Sequence, residues 1–439
     1  MNRVEVAKAV KTFPNFEVEP FYARLPGSKS YTNRALILAA QRMGRTDLIN
    51  ALHADDTILL AQCLDQFDGL SVEKTNAGFR VVRTAPRLKA PSNPLYIGGA
   101  GTPARLLMAF ASAADGATVI TGNARLSERP MTDLIESMRG AGFSVDELAA
   151  SGCLPVRVHG SSPTNRNWTV SGSVSSQFLT SLLIHAAQQQ GDLVNVSVRG
   201  NLVSKPYVRM TLGMMRDCGI QIHADGLTHF TVVPGAPQKA EITIEPDASA
   251  MSYFLAAAAL TKSTVVIRGI GLGSDQGDVR FAQVLRDMGC KLHGEEQEIV
   301  LTGGPLAGIS VDMEDMPDTV LTLAAVAAFA DGPTRITNIA NLRLKECDRI
   351  HAAASNLLQL GVGASEGADF LFINPQGAMR PARLATYDDH RVAMAFSLVG
   401  LLRDEIELED PTCVRKSFPN FWEELARFRA HRNARGAAQ

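Results

Sequence analysis

Six times along the chain, at intervals of about seventy residues, a short polar or glycine-bearing segment runs straight into a small-residue apolar helix. The segments are PGSKSYTNRALILAA, GGAGTPARLLMAFAS, GSVSSQFLTSLLIHAA, EPDASAMSYFLAAAAL, DMPDTVLTLAAVAAFA and YDDHRVAMAFSLVGLL. With Ser30, Gly101, Ser175, Asp247, Asp318 and Asp388 as reference points, successive separations are 71, 74, 72, 71 and 70 residues. Such regularity marks internal repeats, whose units must stack to bury their apolar faces. Each helix N-terminus presents unpaired N–H groups and a partial positive charge, so six aimed at one place would make an anion site.

At 439 residues the chain exceeds one ordinary core, and six units divide naturally into two domains of three. Lys and Arg number 43 against 45 Asp and Glu, which leaves no global field to attract nucleic acid or anionic lipid; anion binding must be local. The six cysteines form no C-x-x-C pair, the pattern of reduced thiols in a cytoplasmic setting rather than of disulfides or zinc. The opening MNRVEVAKAVKTF lacks an apolar signal core, and the longest apolar helical run, near 320–330, is short of a membrane span. A soluble protein is the expectation.

After each apolar helix comes a strand signal: TDLIN, GATVITGN, GDLVNVSV, STVVIRGI, GPTRITNI and EIELED. A second, amphipathic helix follows, clearest in MTDLIESMRGAG, YVRMTLGMMRDCG, DVRFAQVLRDMG and RIHAAASNLLQLG, with Gly142, Gly219, Gly289 or Gly361 where a C-terminal cap belongs. FSVDEL, IQIHAD and CKLHGE then open two closing strands, so the unit belongs to the α/β (α+β) class. Only 51 residues follow Asp388, too few for the sixth unit's closing strands, whereas the N-terminal VEVAKAV and FEVEPFYARL look extended. The N-terminus is expected to supply them. The expected domains are residues 25–241 and residues 1–24 plus 242–439, with crossings near Arg24 and near VVPGAPQKAE that form a two-strand hinge.

The helix starts collect Lys29, Arg34, Arg105, Asp247, Asp318, His390 and Arg391, which Ser or Thr capping does not explain. Lys29 and Arg34 bracket a Ser-rich turn where amides, hydroxyls and two cations can face one anion; a capped helix with solvated charges is the plainer alternative. GSVSSQF offers Ser175, Ser176 and Gln177 as neutral donors, and LVSKPYVRM adds Ser204, Lys205 and Tyr207, with Pro206 suited to a first helical turn. In NLRLKECDRI, Lys345 and Arg349 stand four apart at a helix start, a repulsive pair unless an anion lies between them. The alternative is a solvated face stitched by Glu346 and Asp348. Asp318 reads as a cap, but in a buried cleft it could take a proton from a hydroxyl; His390 reads as a cap or packed ring before a catalyst. One helix end contributes only ~0.3–1 kcal/mol toward an anion and an unpaired buried charge costs several, so side-chain cations must do the holding.

Taken together, these residues resemble the 5-enolpyruvylshikimate-3-phosphate (EPSP) synthase family of enolpyruvyl transferases. The likeness runs from about Leu25 to Trp422 through LPGSKSYTNRALILAA, AGT followed by Arg105, SERPM, SSQFLTSLL, SKPY, PDASA, MPDTVLTLA, NLRLKECDR, YDDHRVAMAFSL and KSFPNFW. No one motif is decisive, but ten in order are very specific. The resemblance implies two domains of three βαβαββ units, an inside-out α/β barrel arrangement, closing around shikimate 3-phosphate and phosphoenolpyruvate. It implies no metal or organic cofactor, no nucleic-acid or membrane partner, and a monomer. By the same resemblance Ser30, Arg34, Ser175, Ser176, Gln177, Ser204, Tyr207, Asp318, Asn341 and Lys345 contact shikimate 3-phosphate. Lys29, Gly101, Arg129, Gln177, Arg349, Arg391 and Lys416 hold phosphoenolpyruvate, and Lys29, Asp318, Glu346 and His390 form the proton-transfer group. The implied reaction is attack of the 5-hydroxyl on C2 of phosphoenolpyruvate with protonation of C3, then loss of phosphate from a tetrahedral adduct.

Two positions depart from the family pattern. GNAGT reads GGAGT, with Gly99 in place of asparagine, and Leu106 stands where proline commonly follows the arginine. Both touch the phosphoenolpyruvate loop, so altered sensitivity to glyphosate, which resembles that substrate, is expected. A related transferase with another acceptor, such as a UDP-sugar, is a rival, but RPMTD (129–133) lacks the reactive cysteine usual there. A nucleic-acid-acting protein of similar repeats, as in RNA 3′-terminal phosphate cyclases, is disfavoured by balanced charge and few aromatics. A non-catalytic homologue, prompted by Gly99, is disfavoured by intact Lys29, Asp318, Glu346 and Arg391.

Overall fold

A computed structural model describes residues 19–436; the stretch VEVAKAV lies outside them. The repeat-opening segments form the helices Lys29–Gln41, Gly101–Ala111, Ser176–Ala187, Ala248–Thr261, Val320–Ala327 and His390–Ser397. Their small side chains allow burial on all sides: Ala248 to Leu260 is buried without a break, as only a helix in the middle of a core can be. Lys29–Gln41 and Ser176–Ala187 both pack on Gly101–Ala111, and Val320–Ala327 joins Ala248–Thr261 to His390–Ser397. The sheets lie outside this helical core, and strands such as Thr334–Thr337 bury Thr334 and Ile336 while exposing Arg335, the period of a sheet with one wet face. The caps are Ser28, Ser175, Asp247 and Asp389, each accepting from a backbone N–H two or three residues on. Gly142, Gly219, Gly289 and Gly361 all take positive φ at the ends of the second helices.

Five four-stranded sheets share one topology. In the second unit the lead strand Leu95–Tyr96 runs parallel to Ala117–Thr121, which is antiparallel to Val156–His159, itself antiparallel to Val145–Glu147. The sixth sheet has only Ala382–Leu384 and Ile406–Leu408. The N-terminal strand does not complete it: Phe21–Tyr22 pairs in parallel with Thr264–Arg268, in register Phe21↔Val265, as lead strand of the fourth unit. Conversely Glu241–Thr243, just upstream of the fourth buried helix, leads the first unit by pairing with Gly44–Ile49. The chain changes halves between lead strand and buried helix, so the two halves exchange lead strands. The sixth unit ends in the helix Phe421–Gly436 instead of a hairpin, with Phe428 edge-on to Phe21 at 5.2 Å.

Two apolar clusters result, one running from Ala35 to Ile244 and one combining Phe21 with Ala248 to Phe428. The second crossing therefore falls at 244–247, after VVPGAPQKAE, because Glu241–Thr243 still belongs to the first cluster's sheet. The two crossings run side by side: Gly27 bridges Pro246, Ser28 N donates to Glu245 O at 2.9 Å, and Asp247 N to Pro26 O at 2.9 Å. A Cβ at Gly27 would collide with Asn50 O, so the crossing is too tight for a side chain there. Among the described residues no helix is long and apolar enough to cross a membrane.

Candidate active site

The halves meet across a cleft into which five of the six buried helices point their starts. Its lining carries Lys29, Arg34, Arg105, Arg129, Lys345, Arg349 and Arg391 against Asp56, Asp318 and Glu346, seven cations to three carboxylates. Such an excess in a half-dry space is costly unless anions enter. Burial, aided by the nearby Arg129 charge, pushes Arg105 well below its ordinary value, and burial pulls Lys345 down despite the attraction of Asp318. Both are cations short of a counter-charge.

On the N-terminal wall the polar groups are mostly donors. Arg34, almost fully buried, gives Nε to Thr211 at 2.8 Å, Nη1 to Ser30 O at 2.9 Å, and Nη2 to Tyr207 O at 3.1 Å and Thr180 at 3.3 Å. One N–H is left for a ligand, so Arg34 acts mainly by fixing Ser30 and Tyr207. Arg105 Nη1 donates to Gln177 Oε1 at 2.8 Å, which turns the Gln177 amide nitrogen outward. Arg129 keeps Nε and Nη1 buried without hydrogen-bond partners. A Cβ at Gly101 would lie 2.6 Å from Arg129 Nη1 and 2.7 Å from Arg105 Nη1, so only glycine lets both guanidiniums reach the cleft. Lys29 Nζ meets Asp56 at 3.2 Å. Ser204 sits at φ 54°, a strained backbone of the kind held at functional sites, and accepts from Asn341 of the opposite wall at 3.1 Å.

The C-terminal wall is an interlocked charge network. Asp318 is no cap: Oδ1 accepts from Arg349 at 2.9 Å, and Oδ2 from Arg391 at 2.9 Å and from the Tyr207 hydroxyl at 2.8 Å. Burial opposes its charge, but Arg391, Lys345, Arg349 and Lys29 together hold it well below the usual carboxylate range. Glu346 pairs with Arg349 at 3.0 Å and Lys416 at 3.3 Å; it too is driven well down, burial being outweighed by Lys416, Arg349 and Arg129. Beneath them Asp389, fully buried, receives Arg349 Nε at 2.8 Å and Nη2 at 3.2 Å and caps Arg391 N at 2.8 Å. Tyr387 and Asp388 precede it with φ 55° and 52°, two left-handed residues that turn the chain into this corner.

Lys345 and Arg349 are not neighbours on one helix. Lys345 ends the 3-10 helix Ala340–Leu344 in extended backbone, Asp348 caps Arg349–Gln359, and carboxylates rather than empty space meet Arg349. His390 is fully buried, outside the cleft lining, with neither ring nitrogen hydrogen-bonded. Burial, then Lys29 and Arg391, push its protonation well below the ordinary range, so the ring is neutral. Lys416 also stands outside the lining but donates to Gly99 O at 3.1 Å. The remaining expected residues line the cleft. Asp56 and Asp389 were missed: Asp56 lies in a second helix with no anion-site signature, and Asp389 is hidden beside the more conspicuous His390 and Arg391.

The EPSP synthase (3-phosphoshikimate 1-carboxyvinyltransferase) family matches residues 22–425. The chain is 41% identical over 409 residues to the 3-phosphoshikimate 1-carboxyvinyltransferase of Edwardsiella ictaluri, covering 92% of this chain and 94% of that one. It is also 41% identical to the chloroplastic enzyme of Arabidopsis thaliana, covering 93% and 82%. Among solved structures, EPSP synthase from Acinetobacter baumannii superposes with a TM-score of 0.76 at 26% identity, covering 92% and 95%. An enolpyruvyl transferase of Streptomyces tendae shares the fold, with a TM-score of 0.72 at 17% identity over 93% and 94%.

Proposed function

This chain belongs to the EPSP synthase family, and we propose that the cleft is where it performs that family's reaction, with the roles below. The enzyme transfers the enolpyruvyl group of phosphoenolpyruvate to the 5-hydroxyl of shikimate 3-phosphate and releases phosphate, a step of the shikimate pathway. Ser30, Ser175, Ser176, Gln177, Ser204, Tyr207, Asn341 and Lys345 receive shikimate 3-phosphate, with Arg34 holding two of them in place. Lys29, Gly101, Arg129, Gln177, Arg349, Arg391 and Lys416 receive phosphoenolpyruvate.

The observation that carries the reading is an ionised Asp318, anchored at both oxygens, opposite Arg105 and Arg129, whose buried Nε atoms make no hydrogen bond among the described residues. Asp318 takes the proton of the 5-hydroxyl as its oxygen bonds to C2, while C3 gains a proton from the Glu346 and Lys29 side. Glu346 is ionised in the resting cleft. When the substrate's phosphate and carboxylate engage Arg129, Arg349 and Lys416, the attraction that strips its proton is shared, and its proton affinity rises. The adduct then loses a C3 proton as the C2–O bond to phosphate breaks, and the surrounding cations stabilise the departing charge. His390, held neutral by burial and the nearby cations and lying 3.6 Å from Asp389, is assigned no proton step. One chain supplies both walls, so the two apolar clusters act as two domains of a cytoplasmic monomer.

Phosphate release from phosphoenolpyruvate, measured with and without shikimate 3-phosphate, tests the reading. Acceptor-dependent release is expected; release indifferent to the acceptor, or none, would overturn it.

A further inference from the structure

Arg125 has no part in the chemistry above, yet it reaches across the cleft to the backbone of two residues that do. It stands on the four-residue helix Ala124–Ser127, started by Asn123 Oδ1 accepting from Leu126 N at 2.9 Å. Its Nε donates to Glu346 O and its Nη2 to Lys345 O, each at 3.0 Å, while Nη1 is held by Glu128 at 3.1 Å. Nε and Nη2 are the parallel donors of the guanidinium fork, so one rigid group meets two successive carbonyls.

Those carbonyls belong to the bend between Ala340–Leu344 and Arg349–Gln359. Among the described residues, neither accepts any other hydrogen bond. The carbonyls of the bend are thus held from the opposite half of the molecule, while its Glu346 carboxylate is paired within its own half to Arg349 and Lys416; the bend carries the Lys345 and Glu346 side chains that line the cleft. Arg125 is itself 43% exposed and belongs to neither apolar cluster, so its loss leaves no buried charge behind.

We infer that Arg125 is a positioning residue: it seats the Lys345–Glu346 bend against the facing half, so that the amine and the carboxylate take their working places only when the two halves are together. The inference rests on the cleft being the reacting site. It makes assembly of the C-terminal wall conditional on closure, which keeps the site incomplete while substrates enter.

The test compares the full-length enzyme with Arg125→Ala and Arg125→Lys. Arg125→Ala should lower kcat on the order of a hundredfold, the scale of a mis-seated reacting group, with an unchanged melting temperature. Lysine offers a point charge and no fork, so Arg125→Lys should recover only a small part of kcat. Hydrogen exchange with shikimate 3-phosphate present should show the amides of 345–347 exchanging roughly tenfold faster in Arg125→Ala. Wild-type kcat in Arg125→Ala, full rescue by lysine, or unchanged exchange at 345–347 would overturn the inference. If the unmodified enzyme releases no acceptor-dependent phosphate, the reaction assignment fails, and the exchange rates alone decide on Arg125.

Discussion

Arg129 on the N-terminal wall has two buried nitrogens without a hydrogen bond among the described residues, Nη1 standing 3.9 Å from Glu346, whereas Arg349 on the C-terminal wall makes four hydrogen bonds to three carboxylates. Both walls grow from the same repeat, so the difference comes from side chains at equivalent helix starts. A wall of unmatched donors gains from any anion that enters, in the ground state as much as in the transition state; such interactions lower KM. On the other wall the cations Arg349, Arg391 and Lys416 are already shared with carboxylates, so an entering anion must divide them with Asp318 and Glu346. That wall keeps Asp318 and Glu346 ionised and aimed, which is what proton transfer needs. On the proposed roles both walls bind substrate, but the carboxylates that move protons, Asp318 and Glu346, stand on the C-terminal wall alone.

The sharpest way to break this division is Asp318→Asn, which keeps the shape and removes the base: kcat should fall about 10²- to 10⁴-fold with smaller changes in KM. An equal loss of kcat from a donor on the other wall would erase the contrast. Arg349→Ala should strip the common cation from Asp318, Glu346 and Asp389 and cost about 3–5 kcal/mol of stability, read as a lowered melting temperature. A rise in the KM of phosphoenolpyruvate with no thermal change would mean the C-terminal wall is no more interlocked than its partner.

Acid sensitivity compares the halves through a buried histidine in each. Burial pushes His185 down to about 4 and His390 well down, so both rings are neutral when folded. The unfolded chain takes up these protons near pH 6.5, hence binds more protons than the native state below that pH, and stability falls as pH drops from about 6.5 toward 4. His185 accounts for roughly 3 kcal/mol of that fall. Asp318 and Glu346, with depressed values, contribute stability that is lost only at lower pH. Denaturation of His185→Gln at pH 7 and 4.5 should show a shallower loss than the parent. Ser176→Ala, on the donor wall, should raise the KM of shikimate 3-phosphate about tenfold and leave kcat nearly unchanged, as loss of one hydrogen bond to a charged ligand predicts. The smallest effect is expected from Leu106→Pro. Leu106 is buried in the helix that opens at Gly101, and a severalfold shift in the glyphosate inhibition constant is expected; an unchanged constant would show that this turn does not tune the donor wall.

The buried helices, the strands after them and the four capping glycines were legible because local patterning determines them: small apolar runs, alternation, and a residue that tolerates positive φ. The partner of Phe21–Tyr22 was not legible, since a two-residue strand carries no record of which edge it joins and only the position of the chain crossings decides it. The site was legible as a set of donors and charges, and less so as a geometry. Spacing placed Lys345 and Arg349 on one helix face, but a 3-10 helix and a bend part them. Asp318 resembled a cap because its partners Arg349, Arg391 and Tyr207 come from three distant segments. His390 read from its position as a cap or packed ring and as a proton carrier only by the family resemblance; its burial among cations agrees with the packed, neutral ring.

The exchanged lead strands also bear on how the polypeptide is made. Phe21–Tyr22 is synthesised early but must wait for Thr264–Arg268, more than two hundred residues downstream, while the first sheet of the N-terminal half stays open until Glu241–Thr243 leaves the ribosome. In each half one sheet thus waits for a strand made far along the chain, so this long-range pairing comes late and leaves an unpaired edge exposed meanwhile. Nascent chains halted shortly before position 241 should therefore lean on chaperones more than those long enough for Thr264–Arg268 to have left the ribosome.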